Sequence, residues 1–239
     1  MWRLVTGKRK RFAVWAILAM PSLTASASEL PYTFLDFQRP ESKVDATGVQ
    51  TPVPGQIVQI NALDGKGIAV AGSLALVHGL YFSGSYKSSV VDVTGVVSSP
   101  LVTVKVADTF DLVSSNFAFG YAHKIGDDLD FIAEISYDSS NYDFGSFAGE
   151  NFDLKGSGAG GRLGFRWNPA RPVELYVFGR YSPVAKPLLT QRTYEKGSSA
   201  VAGVRWYFFE NLGVGIEYDS GAVDTTTISM RFSFGNLPW

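Results

Sequence analysis

The sequence predicts an all-β chain that closes into a single antiparallel transmembrane β-barrel of ten strands, with eight as the alternative if the first and ninth segments stay out of the sheet. Three observations lead there. Apolar and polar residues alternate with period two in segment after segment, and short turns alternate with long connections. No apolar run after Met20 is long enough for a membrane helix, so any membrane crossing must be made by strands. Alternation means that one face of each strand is dry and the other polar. Short and long connections sorted to opposite ends are the pattern of an outer-membrane barrel. A soluble antiparallel sandwich, the competing architecture, alternates too, but its loops need not sort this way.

The N-terminus indicates export. Arg3, Lys8, Arg9, Lys10 and Arg11 precede an apolar run from Phe12 to Met20, followed by Pro21 and Ala25-Ser26-Ala27. A basic segment, a short apolar stretch and an A-x-A site make residues 1–27 a secretory signal peptide, leaving 28–239 as one barrel domain. Without those five cations, 16 Lys+Arg face 22 Asp+Glu, a mature charge near −6 that argues against nucleic acid as a partner. Cysteine is absent, so neither disulfides nor thiolate metal sites are available. Hydrophobic residues make up 46%, yet mean hydropathy is only +0.07, as expected when apolar residues are interleaved with polar ones.

Ten segments follow in order. Tyr32 to Arg39 is the first. The second, "KGIAVAGSLALVH", sets Ile68, Val70, Leu74 and Leu76 against Gly67, Ala69, Ala71, Ser73 and Ala75. His78-Gly79 turns into the third, with Leu80, Phe82 and Tyr86 outward and Ser83, Ser85 and Lys87 inward. Phe117, Phe119 and Tyr121 are the dry face of the fourth, and Phe131, Ala133, Ile135 and Tyr137 that of the fifth, against Asp130, Ile132, Glu134 and Ser136. The sixth opposes Leu163, Phe165 and Trp167 to Arg162, Gly164 and Arg166; the seventh opposes Leu175, Val177 and Tyr181 to Glu174, Tyr176, Phe178 and Arg180. In the eighth, Ala202, Val204 and Trp206 alternate with Gly203, Arg205 and Tyr207, and in the ninth Val214, Ile216 and Tyr218 alternate with Gly215, Glu217 and Asp219. The tenth, "TISMRFSF", sets Ile228, Met230, Phe232 and Phe234 against Ser229, Arg231 and Ser233.

Between these segments the long connections run roughly 25, 17, 12, 14 and five residues, and they are expected on the external side. "SSVVDVTGVVSSPLVTVKV" in the second has high β-propensity and predicts a hairpin rising above the membrane. Aromatics close the dry faces at both ends and are read as interfacial girdles: Tyr121, Phe131, Trp167, Trp206, Phe208 and Phe234 toward the short turns, Tyr86, Tyr137, Tyr181 and Tyr218 toward the other side.

By parity, Arg162, Arg166, Arg180, Arg205 and Arg231 point inward together with Glu134, Glu174, Glu217 and Asp219. Both signs are present, so these groups are expected to pair across the lumen, the planar guanidinium suiting bidentate carboxylate contacts. Two readings stay open: a structural plug of salt bridges, or a narrow charge-lined path for ions or small solutes.

Other chemistry finds little support. His78 and His123 fall beside short turns, far from the external rim where a membrane enzyme of this shape would carry its base. Asp138, Asp143, Glu150 and Asp153 gather near the third long connection, where a solvated acidic loop is the simpler account than a water-activating pair or a calcium loop. "GSGAGGRLG" has glycines at nucleotide-like spacing, but no helix pattern follows to receive a phosphate. No catalytic, cofactor or metal site is assigned.

The paired-strand stretches "YTFLDFQ", "GKGIAVAGSLALVHGLYFSGSYKS", "NFAFGYAHKIGDDLDFIAEISYDS", "GAGGRLGFRWNPARPVELYVFGRYS" and "ISMRFSF" resemble the small OmpX/OmpA-type outer-membrane β-barrel proteins over essentially the mature chain. That resemblance implies location in the outer membrane, contact with its lipid, and recognition of the C-terminal strand by the barrel-assembly machinery, through Phe234 or Trp239. It implies no single activity, since a shared barrel transfers no function. A surface partner is expected to meet the external connections.

Overall fold

A computed structural model describes residues 32–44, 48–50, 57–147, 150–170, 172–188, 193–221 and 223–234. Its strands are β1 (Phe34–Val44), β2 (Gly48–Gln50), β3 (Ile57–Ala75), β4 (Leu80–Ser98), β5 (Thr103–Lys124), β6 (Leu129–Phe147), β7 (Glu150–Ala170), β8 (Val173–Leu188), β9 (Thr193–Phe209), β10 (Leu212–Ser220) and β11 (Asp224–Ser233). Each pairs antiparallel with its neighbour, and β1 pairs with both β11 and β3, which closes the sheet. Three-residue β2 only extends the edge of β3, so the barrel has ten strands. Residues 1–27, expected to be a signal peptide, and Trp239 lie outside the described residues.

Closure leaves no sheet edge around the wall, and alternation decides which side chains face which solvent. Outward positions are apolar and exposed: Ile68 is 74%, Ile135 72%, Leu163 58% and Ile228 60% accessible. In a water-soluble fold these residues would be inside; here the inside is polar. Burial of Asp36, Asp130, Glu134, Glu174, Arg166, Arg205 and Arg231 inverts the usual distribution. Such a wall is stable only where lipid meets its outer face. The aromatics expected to form girdles point outward; Tyr121, Tyr137, Trp167, Tyr181, Trp206, Tyr218 and Phe234 range from 43% to 60% accessible.

One short turn shows how sequence sets register. His78 (φ 52°) and Gly79 (φ 80°) both take left-handed conformations, and Leu80 N–H donates to Val77 O at 3.0 Å. Two such residues suit the twist of a two-residue hairpin, and at Gly79 the missing Cβ also lets the backbone of Ala122 approach. Register between β3 and β4 is therefore pinned at the turn, and every inward residue above it follows.

The long connections differ from expectation. β5 has 22 residues, β7 21, and β3, β4 and β6 19 each, against the roughly ten that cross a bilayer. The expected hairpin above the membrane is present, with only Ser99 to Val102 joining β4 to β5. Much of the other predicted loops is also strand, including Pro40 to Val44 in β1 and the β6–β7 segment around Asp143 and Asp153. Above the lipid a strand needs no apolar face, so polar β-formers such as Ser and Thr continue the ladders without the alternation that marks the membrane segment. At Arg39 and Pro40 the ladder to β3 lapses, where proline has no N–H to give, while pairing to β11 continues.

Candidate functional site

The lumen holds two tiers. Toward the short turns lies a floor of ion pairs, each made between residues directly opposite on adjacent strands. Asp36 and Arg231 face each other across β1 and β11, Glu174 and Arg205 across β8 and β9, and Asp130 and Arg166 across β6 and β7. Glu134 and Arg162, one step higher on β6 and β7, do the same. Opposed residues place their Cβ atoms about 5 Å apart, within reach of a guanidinium and a carboxylate. Pairing takes both routes: these four pairs form sideways along the wall, where the strand neighbour is nearest, while Arg180 with Asp138 and Asp219, Arg205 with Asp36 and Arg231 with Glu174 join non-adjacent strands.

Distances bear this out. Arg231 Nε and Nη2 donate to the two Asp36 oxygens at 2.8 and 2.6 Å. Arg205 Nη1 donates to Glu174 Oε1, and Arg166 Nη2 lies 2.9 Å from Asp130 Oδ2. Arg162 Nη2 donates to Glu134 Oε1 at 2.8 Å; its Nε is 2.5 Å from Oε2 but off-line for a hydrogen bond. Two longer contacts stitch the pairs together, Arg205 to Asp36 at 3.6 Å and Arg231 to Glu174 at 3.8 Å.

Aromatic side chains fill the space around these charges. Tyr32, Tyr81 and Tyr207 donate their hydroxyls to Asp130 (3.0 Å), Glu134 (2.6 Å) and Glu174 (3.0 Å). Tyr32 stacks on Tyr81 at 4.9 Å, and the Arg166 guanidinium sits 4.1 Å above the Tyr32 ring. Arg231 caps Phe34 at 3.5 Å and Arg162 caps Phe178 at 4.6 Å. Gly120 makes this possible on one side: a Cβ there would collide with the Tyr81 ring, which lies flat against the wall. Carboxylates that accept from both arginine and tyrosine have few lone pairs left for water. The side chains of Asp36, Glu174 and Arg205 are only 2%, 2% and 4% accessible.

Above the floor the lumen continues as a chamber; the whole cavity, ≈ 410 Å³, is lined by floor residues such as Asp36, Glu174 and Arg231 as well as by Ser85, Lys87 and Asp138. Asp138 is its best-connected group, accepting from Asn116, Ser136 (3.0 Å), Ser182 (2.7 Å) and Arg180 (3.5 Å). Arg180 also reaches Asp219 at 3.8 Å, and Lys87 donates to Ser42 at 3.3 Å. Glu217 lines the chamber and makes no ion pair among the described residues.

Arg162, Arg166, Arg180, Arg205, Arg231, Glu134, Glu174, Glu217 and Asp219 therefore all lie inside, divided between floor and chamber. Asp138 corrects its placement as an external acid: the strand continues through it, and even-numbered residues of β6 face inward. Asp143 and Asp153 stay exposed on opposed positions of β6 and β7, Asp153 paired with Lys155 at 2.9 Å, and the side chain of Glu150 lies outside the described residues. Asp36 was missed, although Leu35 and Phe37 flank it in "FLDFQ" and parity alone turns it inward. Tyr81 carried the same signal, and Asp130 lies on the polar face as expected. His78 sits in its turn, and His123 stacks beside Tyr121 on the outside at 6.1 Å, both away from the chamber.

No protein-family model matches the chain, and no curated protein does. Several solved membrane barrels resemble the structure. The transport unit of the autotransporter AIDA-I from Escherichia coli aligns over 91% of this chain and 94% of its own, at 10% identity and a TM-score of 0.48. The translocator domain of the autotransporter NalP from Neisseria meningitidis aligns over 84% and 88%, at 12% identity and 0.47. An outer membrane channel from Pseudomonas putida F1 aligns over 86% and 97%, at 9% identity and 0.44. Similarity at this level assigns neither kinship nor ligand, and the lumen has to be read from its own side chains.

Proposed function

We propose that the protein is a non-enzymatic outer-membrane barrel whose lumen is sealed at the short-turn end and open at the other. The observation that carries this reading is the floor, where four ion pairs and three tyrosine hydroxyls interlock and leave Asp36 and Glu174 2% accessible. An apolar outer belt supports the membrane location, and the basic, then apolar N-terminus supports export. Within outer-membrane barrels we keep the resemblance to the small OmpX/OmpA type, with Phe234 at the end of β11 as the aromatic offered to the assembly machinery.

A narrow channel is the second reading, favoured by one feature: solvent reaches far down the chamber, leaving the side chains of Arg162 and Arg180 35% and 38% accessible. Conductance of the refolded mature chain in a planar bilayer separates the two. Silence from inserted protein supports the sealed barrel; reproducible steps altered by Arg180→Gln or Glu217→Gln would replace it with the channel. Any surface partner would meet the extended β3–β5 sheet, and unchanged cell binding after deletion of 90–106 would count against that role.

A further inference from the structure

The chamber above the floor has the attributes of a binding site, and we infer that it takes a neutral polyhydroxylated ligand of mono- or disaccharide size, entering from the side opposite the short turns. This rests on the sealed floor only for the direction of entry.

Size is the first ground. The whole cavity, ≈ 410 Å³, falls within the range of about 300–1,000 Å³ typical of small-molecule sites. The space exists because the inward positions of β4, β5 and β6 carry serine where the floor carries arginine and tyrosine: Ser83, Ser85, Ser89, Ser114, Ser136 and Ser140 all line it. A serine hydroxyl both donates and accepts, so a wall of them complements a ligand that also presents hydroxyls in both roles.

Ser83, Ser85 and Ser114 are half-buried and line the chamber, so their hydroxyls are within reach of a ligand. Charge decides the class. Arg162 is neutralised by Glu134, and Asp138 is saturated by four donors. Arg180 lies between Asp138 and Asp219, which leaves Lys87 on β4 and Glu217 on β10 as one charge of each sign. No net field selects an anion or a cation. Tyr142 and Tyr194, ring centroids 6.3 Å apart, line the same cavity, and the partly exposed edge of Tyr194 adds apolar surface suited to the C–H face of a sugar ring.

The test is isothermal titration of the folded, detergent-solubilised mature chain with maltose and sucrose as neutral probes, and glucuronate and glucosamine as charged ones. Saturable binding of at least one neutral disaccharide is expected. Ser85→Phe, which fills the chamber, should weaken it tenfold or more, while the outward Phe117→Leu leaves it unchanged. Ser114→Ala, which removes a lining hydroxyl and adds no volume, should weaken it several-fold if Ser85→Phe fails to fold. Binding of neither neutral probe overturns the inference, as does binding of glucuronate alone that is lost in Lys87→Met. Bilayer conductance by the wild type would defeat the sealed floor and leave the sugar titration standing, so the two readings fail separately.

Discussion

Asp36 on β1 and Arg231 on β11 stand opposite each other in the ladder that closes the barrel, joined by two hydrogen bonds of 2.8 and 2.6 Å though 195 residues apart in sequence. First and last strands are thus held at one register by a bidentate pair. Removing one partner from a buried pair leaves the other charge without compensation, at a cost of about 3–5 kcal/mol. Asp36→Ala should therefore lower the thermal midpoint of the folded band in heat-modifiability electrophoresis. Asp36→Leu combined with Arg231→Met should regain part of the loss; a double variant weaker than Asp36→Ala would mean that the pair is net stabilising rather than a register device.

The floor should be openable. Glu174→Ala with Arg205→Ala removes the buried pair between β8 and β9 and takes a partner from both Tyr207 and Asp36. In a planar bilayer this variant should show small conductance steps where the wild type shows none. Continued silence from the inserted double variant would place the seal with the aromatic rings instead.

Membrane contact predicts an unusual response at Ile135, 72% accessible on the outer face. Ile135→Arg should cost about 2–4 kcal/mol of folding free energy into phospholipid vesicles if the position lies near the bilayer midplane. Ser85→Arg on the inner face should cost less, with the charge solvated in the chamber. If both variants fold equally well in water without lipid, the outer belt does not face a membrane.

Gly120 and Tyr81 form a matched pair across β4 and β5. Gly120→Val should displace the Tyr81 ring and its 2.6 Å hydrogen bond to Glu134, destabilising by about 1–3 kcal/mol. Combining it with Tyr81→Ala should relieve the clash. Double-variant stability no better than that of Gly120→Val would show that the strand itself cannot accept a side chain there.

Sequence alone determined the local rules of this protein. Period-two alternation named the ten membrane segments, with eight left as the alternative, and the facing of the residues within them, because the pleat sends successive side chains to opposite sides. It also placed Arg162, Arg166, Arg180, Arg205 and Arg231 in a polar interior and set Asp130 on the polar face, and parity would have added Asp36 and Asp138 had it been carried through the first strand and past Tyr137. Tertiary structure decided who meets whom. Which carboxylate each arginine takes depends on the register between strands, and for Asp36 and Arg231 on closure of the two ends of the chain. Strand length above the membrane was likewise hidden, since water on both faces removes the alternation that reveals a strand. The chamber itself is a property of the closed wall: serine is unremarkable on any one strand, and only the ring of strands turns small side chains into a cavity above the ion-paired floor.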